Sequence, residues 1–169
     1  MSIKFHQLQK PLHLLAFYDA SYANLKDGSS QGGMIVFLKG KDGEMSPINW
    51  SSRKIKRVCR STLTAETMAL LEVSETCFWL SHIIKELLDD SLETTEIFTD
   101  NKSLYEAAHS TTALEEKRLR VDIAAIRQSI LRKEFTLNWI DTKSQLADAL
   151  TKQGADVTKL LEALQTSSC

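Results

Sequence analysis

The sequence contains no apolar run approaching the ~20 residues of a membrane-spanning helix. Its opening, Met1-Ser2-Ile3-Lys4-Phe5-His6, lacks the apolar core of a secretory signal. Cysteine is scarce: Cys59, Cys77 and Cys169 are widely spaced and odd in number, which gives no zinc pattern and argues against a disulfide framework. An excess of charge of one sign is also missing. The formal net charge is −1, so nucleic-acid or acidic-membrane binding has no bulk signature and must rest on local charge. No internal repeat or low-complexity linker divides the chain. These absences predict an intracellular, reducing setting with no membrane partner. A length of 169 residues predicts one domain, 1–169, large enough to bury a core.

What is present reads as alternating elements. Residues 13–19, His-Leu-Leu-Ala-Phe-Tyr-Asp, form a near-continuous apolar strand that ends on an acid. Residues 24–30 read as a turn and Gly32–Leu38 as a second strand. Lys39-Gly40-Lys41-Asp42-Gly43 is a hairpin signal, and Pro47–Ser51 makes a third strand. After a basic stretch, Arg53–Arg60, a long helix runs from about Ser61 to Leu88, broken by Asp89-Asp90-Ser91. Thr95–Asp100 is a fourth strand and again ends on an acid. A short helix follows, capped by Asp100 or Asn101. Beyond a loop at Ser110-Thr111-Thr112 come a helix over 114–132 and a fifth strand over 135–140. Thr142-x-x-Gln145 is a capping-box candidate that opens a helix through Leu146, Asp148 and Leu150. A short helix near Val157–Leu164 precedes a frayed tail, Gln165–Cys169. This order predicts an α/β fold, a mixed five-stranded sheet with helices packed on it. A right-handed crossover would bring strand 4 beside strand 1, placing Asp19 and Asp100 at adjacent strand ends.

The long helix poses a question. At about 100° per residue, Leu63, Leu70, Val73, Cys77, Leu80 and Ile84 fall on one stripe, and Glu66 lies at its centre. A carboxylate on a core-facing stripe is costly unless its charge is compensated. A cation shared with Asp19 and Asp100 is one compensation. Clusters of carboxylates without His or Cys are hard-ligand chemistry, suited to Mg²⁺ or Mn²⁺.

Several motifs carry a resemblance. Asp19-Ala20-Ser21-Tyr22-Ala23, Trp50-Ser51-Ser52-Arg53-Lys54 and Ser61-Thr62-x-x-Ala65-Glu66 stand in that order. They are followed by Thr99-Asp100-Asn101-x-Ser103, Arg120-Val121-Asp122-Ile123 and Gln145-Leu146-Ala147-Asp148-Ala149-Leu150-Thr151-Lys152. Over about residues 12–152 the chain thus resembles the ribonuclease H domain of copia-type LTR retrotransposon polyproteins. The segments 1–11 and 153–169 fall outside the match. The resemblance implies a ribonuclease H-like fold, a five-stranded mixed sheet in the order 3-2-1-4-5 with helices on both faces. It also implies metal-dependent hydrolysis of the RNA strand of RNA–DNA hybrids during reverse transcription. Asp19, Glu66, Asp100 and Asp148 match the four metal-binding acids, expected to hold two Mg²⁺ ions for which Mn²⁺ may substitute, with Asp19 bridging both. Asp122 matches a family position but reads as a structural or helix-surface residue rather than a ligand. The partners implied are the hybrid and the reverse transcriptase of the same polyprotein. The setting implied is cytoplasmic, in a virus-like particle, or nuclear. Nothing argues for a homo-oligomer.

One departure bears on activity. Cellular ribonucleases H carry a mobile histidine before the last acidic helix. Here the loop is Ile140-Asp141-Thr142-Lys143, and His6, His13, His82 and His109 lie elsewhere. The alternative is therefore a catalytically weak or inactive module that binds nucleic acid or acts as a scaffold. A metal-dependent nuclease or transposase acting on DNA is a third reading.

The remaining features each have two readings. In the basic stretch, Arg53, Lys54, Lys56 and Arg57, with Ser52, either grip backbone phosphates or form a solvated loop. Asn24, Asn101 and Ser103 lie beside the matched acids and are placed to read ribose 2′-hydroxyls. Lys117, Arg118 and Arg120, preceded by Glu115-Glu116, make either a second basic patch or a salt-bridged helix face. Trp50, Trp139 and Cys77 read as core. Met68, Leu71 and Trp79, opposite Glu66, need a second core layer or form a docking surface.

Overall fold

The computed structural model describes residues 3–89, 92–111, 114 and 116–166. The expected helix breaker at Asp90-Ser91, Thr112 of the loop, Glu115 of the acidic pair and the terminal Ser167-Ser168-Cys169 lie outside the described residues.

Strand β1, Leu12–Ser21, is buried along almost its whole length, as expected of a strand covered on both faces. It pairs antiparallel with β2, Gln31–Lys39, and β2 pairs antiparallel with β3, Met45–Lys54. Gly43, at φ 89°, closes the β2–β3 turn, and the Gly40 N–H donates to the Glu44 carbonyl at 2.9 Å. Strand β3 is longer than the sequence suggests. It runs into the basic stretch, so Arg53 and Lys54 are strand residues registered against Gly32 and Gln31.

Helix α1, Thr62–Leu87, starts where the Ser61 hydroxyl accepts from the Thr64 N–H. It returns the chain to β4, Leu92–Thr99, which lies parallel to β1. Helices α2, Lys102–His109, and α3, Lys117–Leu131, lead to β5, Thr136–Trp139, parallel to β4. The sheet order is β3-β2-β1-β4-β5, the arrangement anticipated. Helix α4 spans Thr158–Thr166.

Each face of the sheet carries its own core. Leu14, Ala16 and Tyr18 of β1 pack with Val36, Ile97, Leu137 and, from α1, Ala65, Leu70, Val73 and Cys77. On the other face, Leu15, Phe17, Ile35 and Phe37 meet Leu146, Ala147 and α4 residues Leu160, Ala163 and Leu164. Full burial of each large apolar side chain contributes about 1.5–3 kcal/mol, so alternate residues of one strand anchor helices on opposite sides. On α1, Leu70, Val73, Cys77 and Ile84 of the anticipated stripe are buried, while Leu63 and Leu80 are partly buried against the same core. Met68 and Leu71 are also packed against it, and Trp79 faces solvent. Among the described residues no helix is long and apolar enough to cross a membrane.

Two expectations are corrected. The helix expected from Thr142 is two 3₁₀ turns, Thr142–Ser144 and Leu146–Leu150. The first is capped by Asp141, whose side chain accepts from the Lys143 N–H at 2.8 Å. Gln145 then caps the second, accepting from the Ala147 N–H while its own amide donates to the Phe98 carbonyl. Side chains that satisfy the backbone every four residues give it an alternative to a continuous helix. Trp50 and Trp139 are not core residues. They are 53% and 50% exposed, because β3 and β5 are the edges of the sheet.

Candidate metal centre

Asp19 lies near the end of β1, Asp100 directly follows β4, and Glu66 faces them from the first turns of α1. One carboxylate oxygen from each lies within 4.8 Å of the others. Asp19 and Glu66 are buried, at 1% and 4% exposure, and Asp100 is half-buried. Glu66 Oε2 is buried with no hydrogen-bond partner. A buried unsatisfied carboxylate oxygen aimed into a cluster of acids is costly. A divalent cation with oxygen ligands would remove that cost. The donor set fits Mg²⁺ or Mn²⁺ and offers no soft ligand.

The geometry around Asp100 is fixed from several sides. The buried Tyr18 hydroxyl donates to Thr99 Oγ1 at 3.0 Å, and that oxygen also accepts from the Asn101 N–H at 3.2 Å. Asn101 caps α2, its Oδ1 accepting from the Leu104 N–H at 2.9 Å. Trp139 Nε1 donates to the Asp100 carbonyl at 3.3 Å. The residues on both sides of Asp100, and its own backbone, are therefore tied to neighbouring elements.

Electrostatics register the crowding. Burial first, then the charges of Asp19 and Asp100, hold the Glu66 carboxyl well above the usual carboxylate range. Burial likewise raises Asp19, opposed by the Thr151 hydroxyl and the Lys152 ammonium. Tyr18 is pushed up by burial and then by Glu66. Concentrated negative charge that raises its own proton affinity is a frequent mark of a functional site.

Asp148 stands outside the three-acid cluster. It is carried by the second 3₁₀ turn, and its Oδ1 is 2.5 Å from Lys152 Nζ. Lys152 Nζ also lies 3.6 Å from Asp19 Oδ1. The turn itself is seated by a glycine. Gly33 is registered opposite Asp19, and a Cβ on it would come within 2.8 Å of Leu150 Cβ and Thr151 Cγ2. Only glycine leaves room for the turn to cross β2 so closely, and the Thr151 hydroxyl then donates to Asp19 Oδ2. Thr151 and Lys152 end the last of the sequence motifs, and the motif by itself assigns them no role. Their signal was positional: Lys152 follows Asp148 by one helical turn, the spacing of an ion pair.

The anticipated nucleic-acid residues divide. Asn101 lines the acidic cleft, of about 400 Å³, together with Tyr22, Thr62 and Lys152. Asn24 instead donates to Gln31 Oε1 and to the Thr151 carbonyl. Ser52 donates to the Leu150 carbonyl and accepts from Gln31 Nε2. Both hold the second 3₁₀ turn against β2 and β3. Arg53 pairs with Glu72 at 3.3 Å, Lys54 with Asp27, and Arg57 with Asp122 at 2.9 Å. The last pair ties the segment before α1 to α3, which is the structural role read for Asp122. Lys56 and Ser103 are exposed. Of the second patch, Arg120 Nε donates to the Leu114 carbonyl, while Lys117 and Arg118 are exposed. No histidine lines the cleft.

No protein-family model matches the chain. Sequence relatives do. The chain is 32% identical over 143 residues to the Retrovirus-related Pol polyprotein from transposon RE1 of Arabidopsis thaliana, a match covering 83% of the chain and 9% of that polyprotein. It is 33% identical over 144 residues to the Transposon Ty1-DR5 Gag-Pol polyprotein of Saccharomyces cerevisiae, covering 82% of the chain and 8% of that protein. The chain thus spans under a tenth of either polyprotein. Among solved structures, LC11-RNase H1, isolated from compost by a metagenomic approach, superposes with a TM-score of 0.59 at 18% identity, covering 88% of this chain and 98% of that one. The same protein in complex with an RNA/DNA hybrid gives a TM-score of 0.57 at 17% identity, covering 88% and 99%. Sequence relatives over most of the chain and neighbours with the same sheet topology converge: the chain belongs with the ribonuclease H domains of Ty1/copia-type retrotransposon polyproteins.

Proposed function

We propose that the chain is a divalent-metal-dependent endoribonuclease that cuts the RNA strand of RNA–DNA hybrids, acting beside the reverse transcriptase of a polyprotein. The observation that carries this reading is the cluster of Asp19, Glu66 and Asp100, with carboxylate oxygens within 4.8 Å and one Glu66 oxygen buried without a partner. Two Mg²⁺ ions, when bound, supply activation of a water for in-line attack and neutralisation of the leaving 3′-oxygen. Asp19, Glu66 and Asp100 would hold them, joined by Asp148 from the 3₁₀ turn. Asp19 would serve both halves of the site, since it belongs to the three-acid cluster and also neighbours the Lys152–Asp148 pair.

The chain's other residues orient rather than react. Tyr18, Thr99 and Trp139 fix the Asp100 backbone. Asn101 presents its side chain at the cleft rim, where a ribose 2′-hydroxyl would distinguish RNA from DNA. Ser103, exposed one residue beyond α2's start, is the second candidate for that contact. Arg53, Lys54, Lys56 and Arg57 supply sequence-independent affinity for phosphates; Arg53 and Lys54 would do so in exchange for exposed ion pairs that contribute little to stability. The hybrid seen with LC11-RNase H1 supports the substrate class, and the polyprotein relatives support the reverse-transcriptase partner. A labelled RNA–DNA hybrid incubated with Mg²⁺ or Mn²⁺ against EDTA tests the proposal, with duplex DNA and duplex RNA alongside. Metal-dependent cleavage confined to the RNA of the hybrid is expected. Binding without cleavage under every metal condition would overturn it in favour of a scaffold.

A further inference from the structure

Among the described residues, Lys152 is the one cation lining the cleft. Its ammonium bridges Asp148, at 2.5 Å, and Asp19, at 3.6 Å. Those are the outer carboxylate and the proposed bridging one. Glu66 and Asp100 complete the inner cluster with Asp19, and neither has an ion pair with Lys152 within 4.0 Å among the described residues. The protein therefore presents its acids in two unequal halves. The inner half is mostly buried, carries the orphaned Glu66 Oε2 and, among the described residues, has no cation of its own. The outer half is already neutralised from within the chain.

The tether makes this arrangement local. Lys152 directly follows Thr151, whose hydroxyl donates to Asp19 Oδ2 and whose backbone N–H bonds the Asp148 carbonyl at 3.2 Å. The Lys152 N–H bonds the same carbonyl at 3.1 Å. The backbone that carries the ammonium is thus fixed, while the side chain itself is 41% exposed. A long, flexible lysine stem on a fixed base can swing into solvent without disturbing the turn.

From this juxtaposition we propose that Lys152 is a tethered counter-ion that occupies the outer half of the site in place of a second divalent cation and must swing away before that cation binds. The inference rests on the metal-dependent reading above and goes beyond it, because it makes the two ion sites inequivalent and assigns the difference to one side chain. The inner site fills first. The outer site fills in competition with an intramolecular cation whose effective concentration is set by its tether.

Mn²⁺ binding to the full chain, measured by calorimetry and by the electron-paramagnetic signal of free Mn²⁺ without any nucleic acid, tests this. The parent chain is expected to bind one Mn²⁺ strongly and a second weakly. Lys152→Met, which keeps the stem and removes the charge, should tighten the second site about tenfold or more while changing the first by less than about threefold. Lys152→Arg should resemble the parent. Lys159→Met, at a lysine that lines a separate pocket with Asp148, controls for net charge and should leave both sites unchanged. Thermal melts of each variant in EDTA establish that the fold is kept. Equal second-site affinity in Lys152→Met and the parent would overturn the proposal, as would an equal gain from Lys159→Met or the absence of any second ion in Lys152→Met. A parent chain that binds no Mn²⁺ at all would instead overturn the metal-dependent reading on which the proposal rests.

Discussion

Replacing Glu66 with Gln should make the EDTA-treated chain more stable and the metal-treated chain less so. Glu66 is 4% exposed, has an unpartnered buried oxygen, and shares its space with Asp19 and Asp100. A glutamine amide keeps the shape, removes one of three like charges and adds a donor toward the other two. An unsatisfied buried polar group costs about 1–3 kcal/mol, and more when charged. For a domain of this size each kcal/mol moves Tm by about 2–4 °C, so the variant should melt about 3–10 °C higher in EDTA at pH 8. The pH dependence fixes the sign. The folded-state affinity of Glu66 for a proton is raised above its ordinary value of 4.5, so the native state holds a proton that the unfolded state has released. Stability from this group is full below about 4.5 and declines as pH rises through the raised value. Asp19 acts in the same direction from its ordinary 3.8. Asp27 and Asp156, which are lowered, act oppositely but only below about 3.8. Between pH 5 and 8 the parent should therefore lose stability with rising pH faster than the glutamine variant. Mg²⁺ at about ten times its Kd should add roughly 1.4 kcal/mol to the parent, and little to the variant. Differential scanning calorimetry in EDTA and in Mg²⁺ reads all of this. A variant less stable than the parent in EDTA across that range, or one with an undiminished Mg²⁺ shift, refutes the reasoning.

Asp100→Asn and Asp19→Asn should each abolish hybrid cleavage with the far-ultraviolet dichroism unchanged; full activity in either would remove that residue from the metal centre. Gly33→Ala should cost about 1–3 kcal/mol by overpacking against Leu150 and Thr151. It should also weaken Mn²⁺ binding, since the displaced turn takes the Thr151 hydroxyl off Asp19; a melt matching the parent's would contradict the contact. Tyr18→Phe should lower the urea midpoint by the equivalent of about 0.5–1.5 kcal/mol, because the Thr99 oxygen keeps the Asn101 N–H as a partner.

Most of the sheet was legible because its signals are local. A continuous apolar strand, a glycine-bearing hairpin and a crossover helix leave few ways to place β4 beside β1, and Asp19 and Asp100 follow from that placement. Glu66 was legible because helical periodicity exposes a charge on an apolar stripe. The exposure of the tryptophans was harder to read: the anticipated order already puts β3 and β5 at the margins, but Trp50 and Trp139 lie in segments with the composition of core strands. The turn near Asp148 was not legible. Thr142 and Gln145 satisfy the pattern for one helix start, yet Asp141 and Gln145 each cap a separate short turn. The basic stretch was legible in its charge but not in its partners. Its charges are real, but Asp27, Glu72 and Asp122, remote in sequence, pair with three of them, and single-segment reading has no access to such partners.

The same distinction explains why the acids could be found while their arrangement could not. An acid reveals itself by sitting where apolar residues belong, which is a property of its own element. What decides how two acids share cations is a contact between elements. Gly33 on β2 lets the turn cross, Thr151 on the turn reaches Asp19 on β1, and Lys152 is thereby carried between Asp19 and Asp148. Each step depends on the one before, and the first is the absence of a single methyl group. A glycine inside a strand ordinarily weakens it. Here it sits directly opposite the buried acid that the turn must reach, so the local weakness of β2 is the condition for the order of the acidic cleft.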